Sequence, residues 1–516
     1  MEVLVSLAGA GPGDPTLLTL AAVRAIERAD VVLYDALVHP AVLAHAKPEA
    51  ILVFVGKRAG HEGAKQDEIN AMLVSYARDG KRVCRLKGGD PFLFGRGSEE
   101  AEVLAQAGIP FEVIPGITAA LGATAYAGIS LTHRSLSSSV AFLTSSEHAS
   151  KSTSAHDWSK LATATQTLVI YMGVRKIREE MDRLIAFGRA PETPVAVIQW
   201  GTRADQRVVV GTVGDIARIA EDAQIGAPAL VVIGEVAKLR ETLAWWDHQP
   251  LFGRRVLVTR AREQAGRLTQ TLAERGAEPV AFPGIAFEPP SDTSRVDAAV
   301  QAIREYDAAV FTSANGVERW FAAMRAVRLD ARAMANARVV AIGPATAAAL
   351  EKHGVLADAI PAEHRGEAAA EATLSLFTGN GGANGRRILV ARAEVAREAL
   401  PDALRAAGAV VDVVPVYRTV AASKRDVDAL VTALRTGQID AATFTSSSTV
   451  EHVCDALGPD AASLLAPVVI ASIGPITSET ARSRGLHVTV EAATYTVPGL
   501  LAALEEHYAR IRETPR

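Results

Sequence analysis

Short apolar runs alternate with amphipathic stretches along most of this 516-residue chain. In the first half, Val3–Ala8, Val31–Tyr34, Ile51–Val55, Arg82–Leu86, Thr167–Met172, Val195–Gln199 and Leu230–Gly234 read as strands. In the second half the same reading covers Arg255–Thr259, Ala308–Thr312, Val339–Gly343, Ile388–Ala391, Ala441–Thr445 and Val468–Gly474. Brief aliphatic runs bounded by turn formers are how strands buried on both faces read. Between them, Leu17, Leu18, Ala21, Val23 and Ile26, or the stretch Glu99–Gln106, follow helical spacing. The alternation predicts an α/β architecture. Leu243–Gly253 interrupts it with Trp245, Trp246, His248, Gln249 and Pro250, which marks the main domain boundary. Adjacent tryptophans there predict interdomain packing, because so much apolar area is seldom left in water.

Two strand ends carry glycine-rich loops. Leu86–Glu100 contains Gly88 and Gly89, whose missing Cβ lets the backbone approach a ligand closely. Asp90 supplies a carboxylate acceptor, and Pro91 stiffens the turn beside it. Gly9–Asp14 follows the first strand, and either Asp14 or Thr16 can cap the next helix. This is not the dinucleotide fingerprint: Asp14 stands where its third glycine belongs, and Pro12 interrupts it. Two such loops in one domain predict a ligand at the carboxyl edge of a sheet.

Length predicts about three or four domains. The chain is 49% apolar but only 5% aromatic, so aliphatic packing should dominate the cores. A net charge of −4 provides no general attraction to nucleic acid or an anionic membrane, so a polyanionic ligand would need locally clustered Arg and Lys. Cys84 and Cys454, the only cysteines, lie in different halves and predict a reducing compartment without disulfides or a cysteine zinc site. The N-terminus reads as no signal peptide, and no uncharged apolar run is long enough to span a membrane. A cytoplasmic protein is expected. Ser145–Asp157 reads as a mobile surface loop whose His148 and His156 lack metal-ligand spacing, so no metal is expected. Gly379–Gly385 lacks the Lys-Ser/Thr of a phosphate loop and reads as a connector.

The second half echoes itself. Val310–Val317 corresponds to Thr443–Val450, Ala341–Thr346 to Ser472–Thr477, and Val256–Arg260 to Ile388–Arg392. Two similar α/β lobes are the simplest account. Each Thr-Ser loop follows a strand and opens a helix. Its hydroxyls read equally as helix caps or as part of an anion-receptive cleft lined by free N–H groups.

Gly9–Asp14, Ala29–Val38, Val55–Arg58, Gly88–Glu100, Pro115–Ala119, Leu131–Arg134, Tyr171–Gly173 and Trp200–Thr202, taken in order, resemble the tetrapyrrole methyltransferase family, most closely its uroporphyrinogen-III C-methyltransferases. The resemblance covers residues 3–236 and implies a methylase fold of two α/β subdomains that uses S-adenosylmethionine. By that resemblance Asp35 is the general base and Lys57 the proton donor. Pro12, Gly88, Gly89, Asp90, Leu93, Thr118, Ala119, Met172 and Gly201 match the donor site, and Arg96, Glu99 and Arg134 line the substrate pocket. Arginine there suits the propionate and acetate carboxylates of a tetrapyrrole. Two departures from the family pattern are Ser98, in place of a glycine, and Thr144–His148, in place of a tighter Thr-Gly-His. A homodimer through this half is also implied.

Residues 254–516 resemble uroporphyrinogen-III synthase, a fold of two flavodoxin-like lobes joined by extended crossings. Phe282–Pro290 and Val413–Thr419 read as those crossings. The expected division is 1–243 methylase, 244–253 linker and 254–516 synthase, with one lobe from 254–286 and 418–516 and the other from 290–413. The implied reaction is cofactor-free cyclisation of hydroxymethylbilane with inversion of the last ring. Tyr417 matches the tyrosine that assists hydroxyl departure, and Ser313, Thr346, Ser446 and Thr477 match cleft positions. The fusion implies a bifunctional enzyme that makes uroporphyrinogen III and methylates it at C2 and C7 to precorrin-2. The alternative is a later precorrin methyltransferase whose second half only senses a tetrapyrrole.

Overall fold

The apolar runs assemble into four five-stranded sheets, two in each half. The structure is a computed structural model describing residues 4–56, 63–146, 156–260, 262–282, 284–363, 365–377 and 382–513. Lys57, most of Ser145–Asp157 including His148, Pro283 and part of Gly379–Gly385 lie outside the described residues.

In the first sheet β1 (Val5–Gly9), β2 (Val31–Tyr34), β3 (Ile51–Phe54), β4 (Val83–Lys87) and β5 (Phe111–Ile114) are all parallel, ordered β3-β2-β4-β1-β5. β4 and β1 lie side by side in the middle and send their chains to opposite sides, the arrangement that opens a crevice at the carboxyl edge. The second sheet is mixed. It contains β6 (Val140–Thr144), β7 (Thr167–Tyr171), β8 (Pro194–Gln199), β9 (Arg207–Thr212) and β10 (Ala229–Ile233), ordered β6-β7-β10-β8-β9. The expected strand Thr167–Met172 stops at Tyr171, because Met172 turns into the left-handed region at φ +57°.

The third sheet holds β11 (Arg255–Val258), β12 (Glu278–Ala281), β18 (Ala441–Phe444), β19 (Val469–Ser472) and β20 (Val488–Glu491). It is wholly parallel with order β12-β11-β18-β19-β20, the flavodoxin-like 2-1-3-4-5 winding. The fourth sheet is built from β13 (Ile285–Glu288), β14 (Ala308–Phe311), β15 (Arg338–Ala341), β16 (Arg387–Ala393) and β17 (Val410–Ala421). Its order is β13-β17-β16-β14-β15, with only β13 antiparallel. The sequence echo maps strand onto strand: β14, β15 and β16 answer β18, β19 and β11, and β15-β14-β16 repeats the spatial order β19-β18-β11. Chain order differs because the fourth sheet is inserted after β12.

The crossings are more than tethers. Ile285–Glu288 pairs antiparallel with Arg418–Ala421, and β17 is also a full strand alongside β16. The fourth sheet therefore runs past the expected lobe limits at 286 and 418. At Leu243–Gly253, Trp246 is buried while Trp245 stays 46% exposed; both rings pack against Tyr126, tilted at 4.8 Å and edge-on at 5.2 Å respectively.

Candidate active sites

Three loops at the carboxyl edge of the first sheet interlock through glycines. A Cβ on Gly116 would fall 2.2 Å from the Gly89 carbonyl oxygen and 2.7 Å from Gly9 Cα, so the ends of β1, β4 and β5 touch backbone to backbone. Gly11 and Gly89 exchange hydrogen bonds of 3.2 and 2.7 Å. Asp90 holds this junction: Oδ1 accepts the Phe92 N–H at 2.8 Å and Oδ2 the Gly116 N–H at 3.0 Å. Gly89 sits at φ +70°, and the nearest atoms to a Cβ there would be Thr118 and Ala119 at 3.8 Å. Gly88 has a different reason to be glycine, since its Cβ would lie 2.5 Å from Leu37 Cβ.

The helix Ala119–Tyr126 carries this edge to the second sheet. Its Gly122 is packed under Pro12, and Gly201 packs on its Ala123. Tyr171 closes the helix start: its phenol oxygen accepts the Ala120 N–H at 2.9 Å and shares a 2.5 Å hydrogen bond with Thr118 Oγ1. Burial pushes that phenol up from its ordinary pKa. Half-buried Leu93 lies between Phe92 and Phe94, and the Phe94 ring packs tilted against Tyr171 at 5.1 Å. Phe94, Arg96, Met172, Trp200 and Thr202 all have positive φ, five of the seven such non-glycine residues described. They gather in the loops that meet here, the places where backbone strain is retained for a site. Met172 is 49% exposed among them.

Asp35 leaves β2 beside a buried charge cluster. Its Oδ1 accepts the Leu37 N–H at 3.0 Å, and Oδ2 lies 3.9 Å from Arg85 Nη1. Arg85 and Lys87 share one face of β4, and both reach Glu100 Oε1, at 3.1 and 2.8 Å; Gln66 Nε2 adds a third donor at 3.2 Å. Glu100 is fully buried. Burial, then the Arg85 charge, lowers the Lys87 pKa, and Glu100 and Asp35 oppose the shift. Arg96 stands outside this cluster, half-exposed, with its Nε 2.9 Å from Glu99 Oε1. Arg134 is exposed in the turn between His133 and Ser137.

In the second half, Tyr417 is 7% exposed on β17, its hydroxyl 3.1 Å from Ser313 Oγ and its ring edge-on to Phe287 at 5.3 Å. Ser313 and Ser446 both cap helices, accepting N–H groups of Gly316 at 3.0 Å and Thr449 at 3.4 Å. The two readings of these hydroxyls part here, for Ser313 also engages Tyr417. Thr346 and Thr477 are buried in the first turns of their helices. Among the described residues no hydrogen bond joins Ser446 or Thr477 to Tyr417, so the fold brings Ser313 to the tyrosine and leaves the other pair on the third-sheet lobe.

Residues 4–217 match the model of the tetrapyrrole (corrin/porphyrin) methylases, and residues 266–502 that of uroporphyrinogen-III synthase HemD. A porphyrin biosynthesis protein HemD of Ruminiclostridium josui is 36% identical over 449 residues, 87% of this chain and 87% of that one. This chain belongs to the tetrapyrrole methylases through its first half and to the uroporphyrinogen-III synthases through its second. Siroheme synthase 2 of Aeromonas hydrophila is 55% identical over 242 residues, 47% of this chain and 51% of that protein, so the chain spans about half the length of such relatives. A solved uroporphyrin-III C-methyl transferase of Thermus thermophilus, complexed with S-adenyl homocysteine, is 39% identical; it covers 46% of this chain and 99% of its own, with a TM-score of 0.40.

The sequence gives no role to Arg85 or Lys87 in the methylase half, and marks Tyr171 and Glu100 only as the ends of motifs. The signal for the first two was present: charges at alternate positions of an otherwise apolar central strand face one partner. In the synthase half Ile476 and Tyr495 are 76% and 67% exposed beside Thr477, and Gly474 lies against the Tyr495 ring. No helix among the described residues is long and apolar enough to cross a membrane, and none of their His, Cys, Asp and Glu side chains group as a metal site.

Proposed function

We propose that the synthase half cyclises hydroxymethylbilane to uroporphyrinogen III, inverting the last ring, and that the methylase half converts this product to precorrin-2 by methylation at C2 and C7. The observation that carries the reading is the glycine-locked meeting of three loops beside Asp35. It offers open backbone at Gly89 and a strained, exposed Met172 on the facing loop. These features fit S-adenosylmethionine, held by Pro12, Gly88, Gly89, Leu93, Thr118, Ala119, Met172 and Gly201. Asp90 serves by shaping the loop, since both its oxygens accept main-chain N–H groups.

When bound, the sulfonium supplies an electrophilic methyl group. As a pyrrole carbon takes that methyl, Asp35 accepts the proton the ring must lose, with Arg85 Nη1 3.9 Å from its Oδ2. Lys57 is the proposed proton donor. Arg96, held by Glu99, and Arg134 take the acetate and propionate groups of the ring. Orientation of the two reactants is the protein's largest contribution. In the synthase half, Tyr417 assists loss of the hydroxyl as water, with Ser313 fixing its phenol. Ser446, Thr346 and Thr477 line the cleft where the cationic chain closes without a cofactor.

Residues 1–243, 244–253 and 254–516 form methylase, linker and synthase in this reading. The protein acts in the cytoplasm, as a homodimer through the methylase half, without nucleic-acid or membrane partners. The buried free thiols Cys84 and Cys454 suit a reducing compartment. The test is to give purified chain hydroxymethylbilane and S-adenosylmethionine and identify the products by mass spectrometry and isomer analysis. A doubly methylated type III product is expected. Type I uroporphyrinogen alone, or no doubly methylated product, would sink the proposal.

A further inference from the structure

The two halves meet across a cluster of largely buried charges. Glu278 opens β12 at the amino edge of the third sheet, the end away from the Ser446 and Thr477 loops. Its Oε1 lies 3.5 Å from His39 Nε2 and 3.9 Å from Arg203 Nη2, and its Oε2 lies 3.5 Å from Arg255 Nε. Asp205 completes the cluster, 3.3 Å from Arg203 Nε and 3.1 Å from Arg255 Nη2. Burial alone would raise the Glu278 carboxyl, yet the hydrogen bond from His39 and the Arg203 and Arg255 charges outweigh it and hold the pKa down at about 2.

The residues that Glu278 grips belong to two loops of the methyl-transfer site. His39 lies four positions after Asp35, in the loop whose Leu37 bonds Asp35 and packs on Gly88. His39 Nδ1 accepts the Ala41 N–H at 3.2 Å, which assigns its proton to Nε2, the nitrogen facing Glu278. Arg203 follows Trp200–Thr202 on the second sheet, with its guanidinium 4.8 Å from the Trp200 ring centre. A Cβ on Gly13 would meet Arg203 Cγ at 2.9 Å, so Arg203 also packs against the first glycine loop. One carboxylate of the synthase half thus holds a loop on each subdomain of the methylase half.

Resting on the methyltransferase reading above, we propose that Glu278 is a positioning residue for methyl transfer, clamping the Asp35–His39 loop and the Gly201–Arg203 loop against each other from the neighbouring half. A displacement near 1 Å at Asp35 is enough to slow proton removal substantially.

The test uses the full chain with Glu278→Ala, Glu278→Gln and His39→Asn. Asparagine keeps the cap on Ala41 but is too short to reach Glu278. In Glu278→Ala, kcat for methylating supplied uroporphyrinogen III should fall about tenfold. Amides of residues 36–42 and 201–206 should exchange faster, and synthase turnover should hold. Glu278→Gln, which retains an acceptor for His39, should lie between native and Ala. His39→Asn should lower kcat and loosen 36–42 alone. A folded Glu278→Ala chain with native kcat overturns the proposal, whatever its exchange, and so does an equal loss of both activities. If the native chain transfers no methyl group, the functional reading fails by itself, and the exchange rates still decide whether Glu278 clamps the two loops.

Discussion

The two halves build their sites by different means. The methylase half spends buried charge and strained backbone: Arg85, Lys87 and Glu100 lie beneath Asp35, and left-handed residues cluster where its loops meet. The synthase half uses hydroxyls at helix starts, repeated once in each lobe, beside one buried tyrosine. Transferring a methyl group between two bound molecules needs fixed orientation and a reliable base, which a rigid charged floor provides. A substrate that forms its own delocalised cation needs its shape controlled, and dipolar caps on two lobes suit that without quenching the charge.

The sharpest way to break this contrast is Glu100→Ala. It strands Arg85 and Lys87 in the interior and should cost about 3–5 kcal/mol of methylase-half stability, read by denaturant unfolding, with the synthase transition unmoved. A loss below about 1 kcal/mol would mean the charged floor is not what holds that site.

Acid titration probes the junction next. Glu278 is depressed from its ordinary 4.5 to about 2 in the folded protein. Its contribution is therefore fully present above 4.5 and is lost as pH falls towards about 2; it amounts to about 3 kcal/mol. The stability gap between native and Glu278→Gln should close over that window, and a gap independent of pH would contradict the ion cluster.

Gly116→Ala should follow, at about 1–3 kcal/mol, because the new methyl group meets the Gly89 carbonyl and Gly9 rather than a movable side chain. Circular dichroism melts would measure it, with methyl transfer falling in step. The smallest effects belong to the caps: Ser313→Ala and Ser446→Ala should each cost about 1 kcal/mol. Only Ser313→Ala should also slow the synthase strongly, since Ser313, unlike Ser446, shares a hydrogen bond with Tyr417. Equal slowing by both would erase the distinction between the lobes.

The central strands were legible because strands buried on both faces leave unbroken aliphatic runs, as in β7, β14 and β18. The edge strand β9 was not, for its aliphatic run is only Val208–Val210 and the strand is half-exposed. The repeat could be read in pairs of matching segments, yet their permuted order emerged only once β15-β14-β16 lay in the pattern of β19-β18-β11. Gly88 and Asp90 were correctly singled out, but for reasons the chain alone conceals. Gly88 makes room for Leu37, and Asp90 bonds the main chain at Phe92 and Gly116.

By itself, then, the order of residues determined the α/β class, the families of both halves and the loops that matter, since periodicity and glycine placement are local properties. The tertiary structure alone decided which charges share a partner. Lys87 meets Glu100, and His39 meets Glu278, 239 positions further along the chain (278 − 39). Such meetings follow from strand order and domain docking, and no local pattern encodes them because Coulomb attraction depends on distance in space rather than separation along the chain.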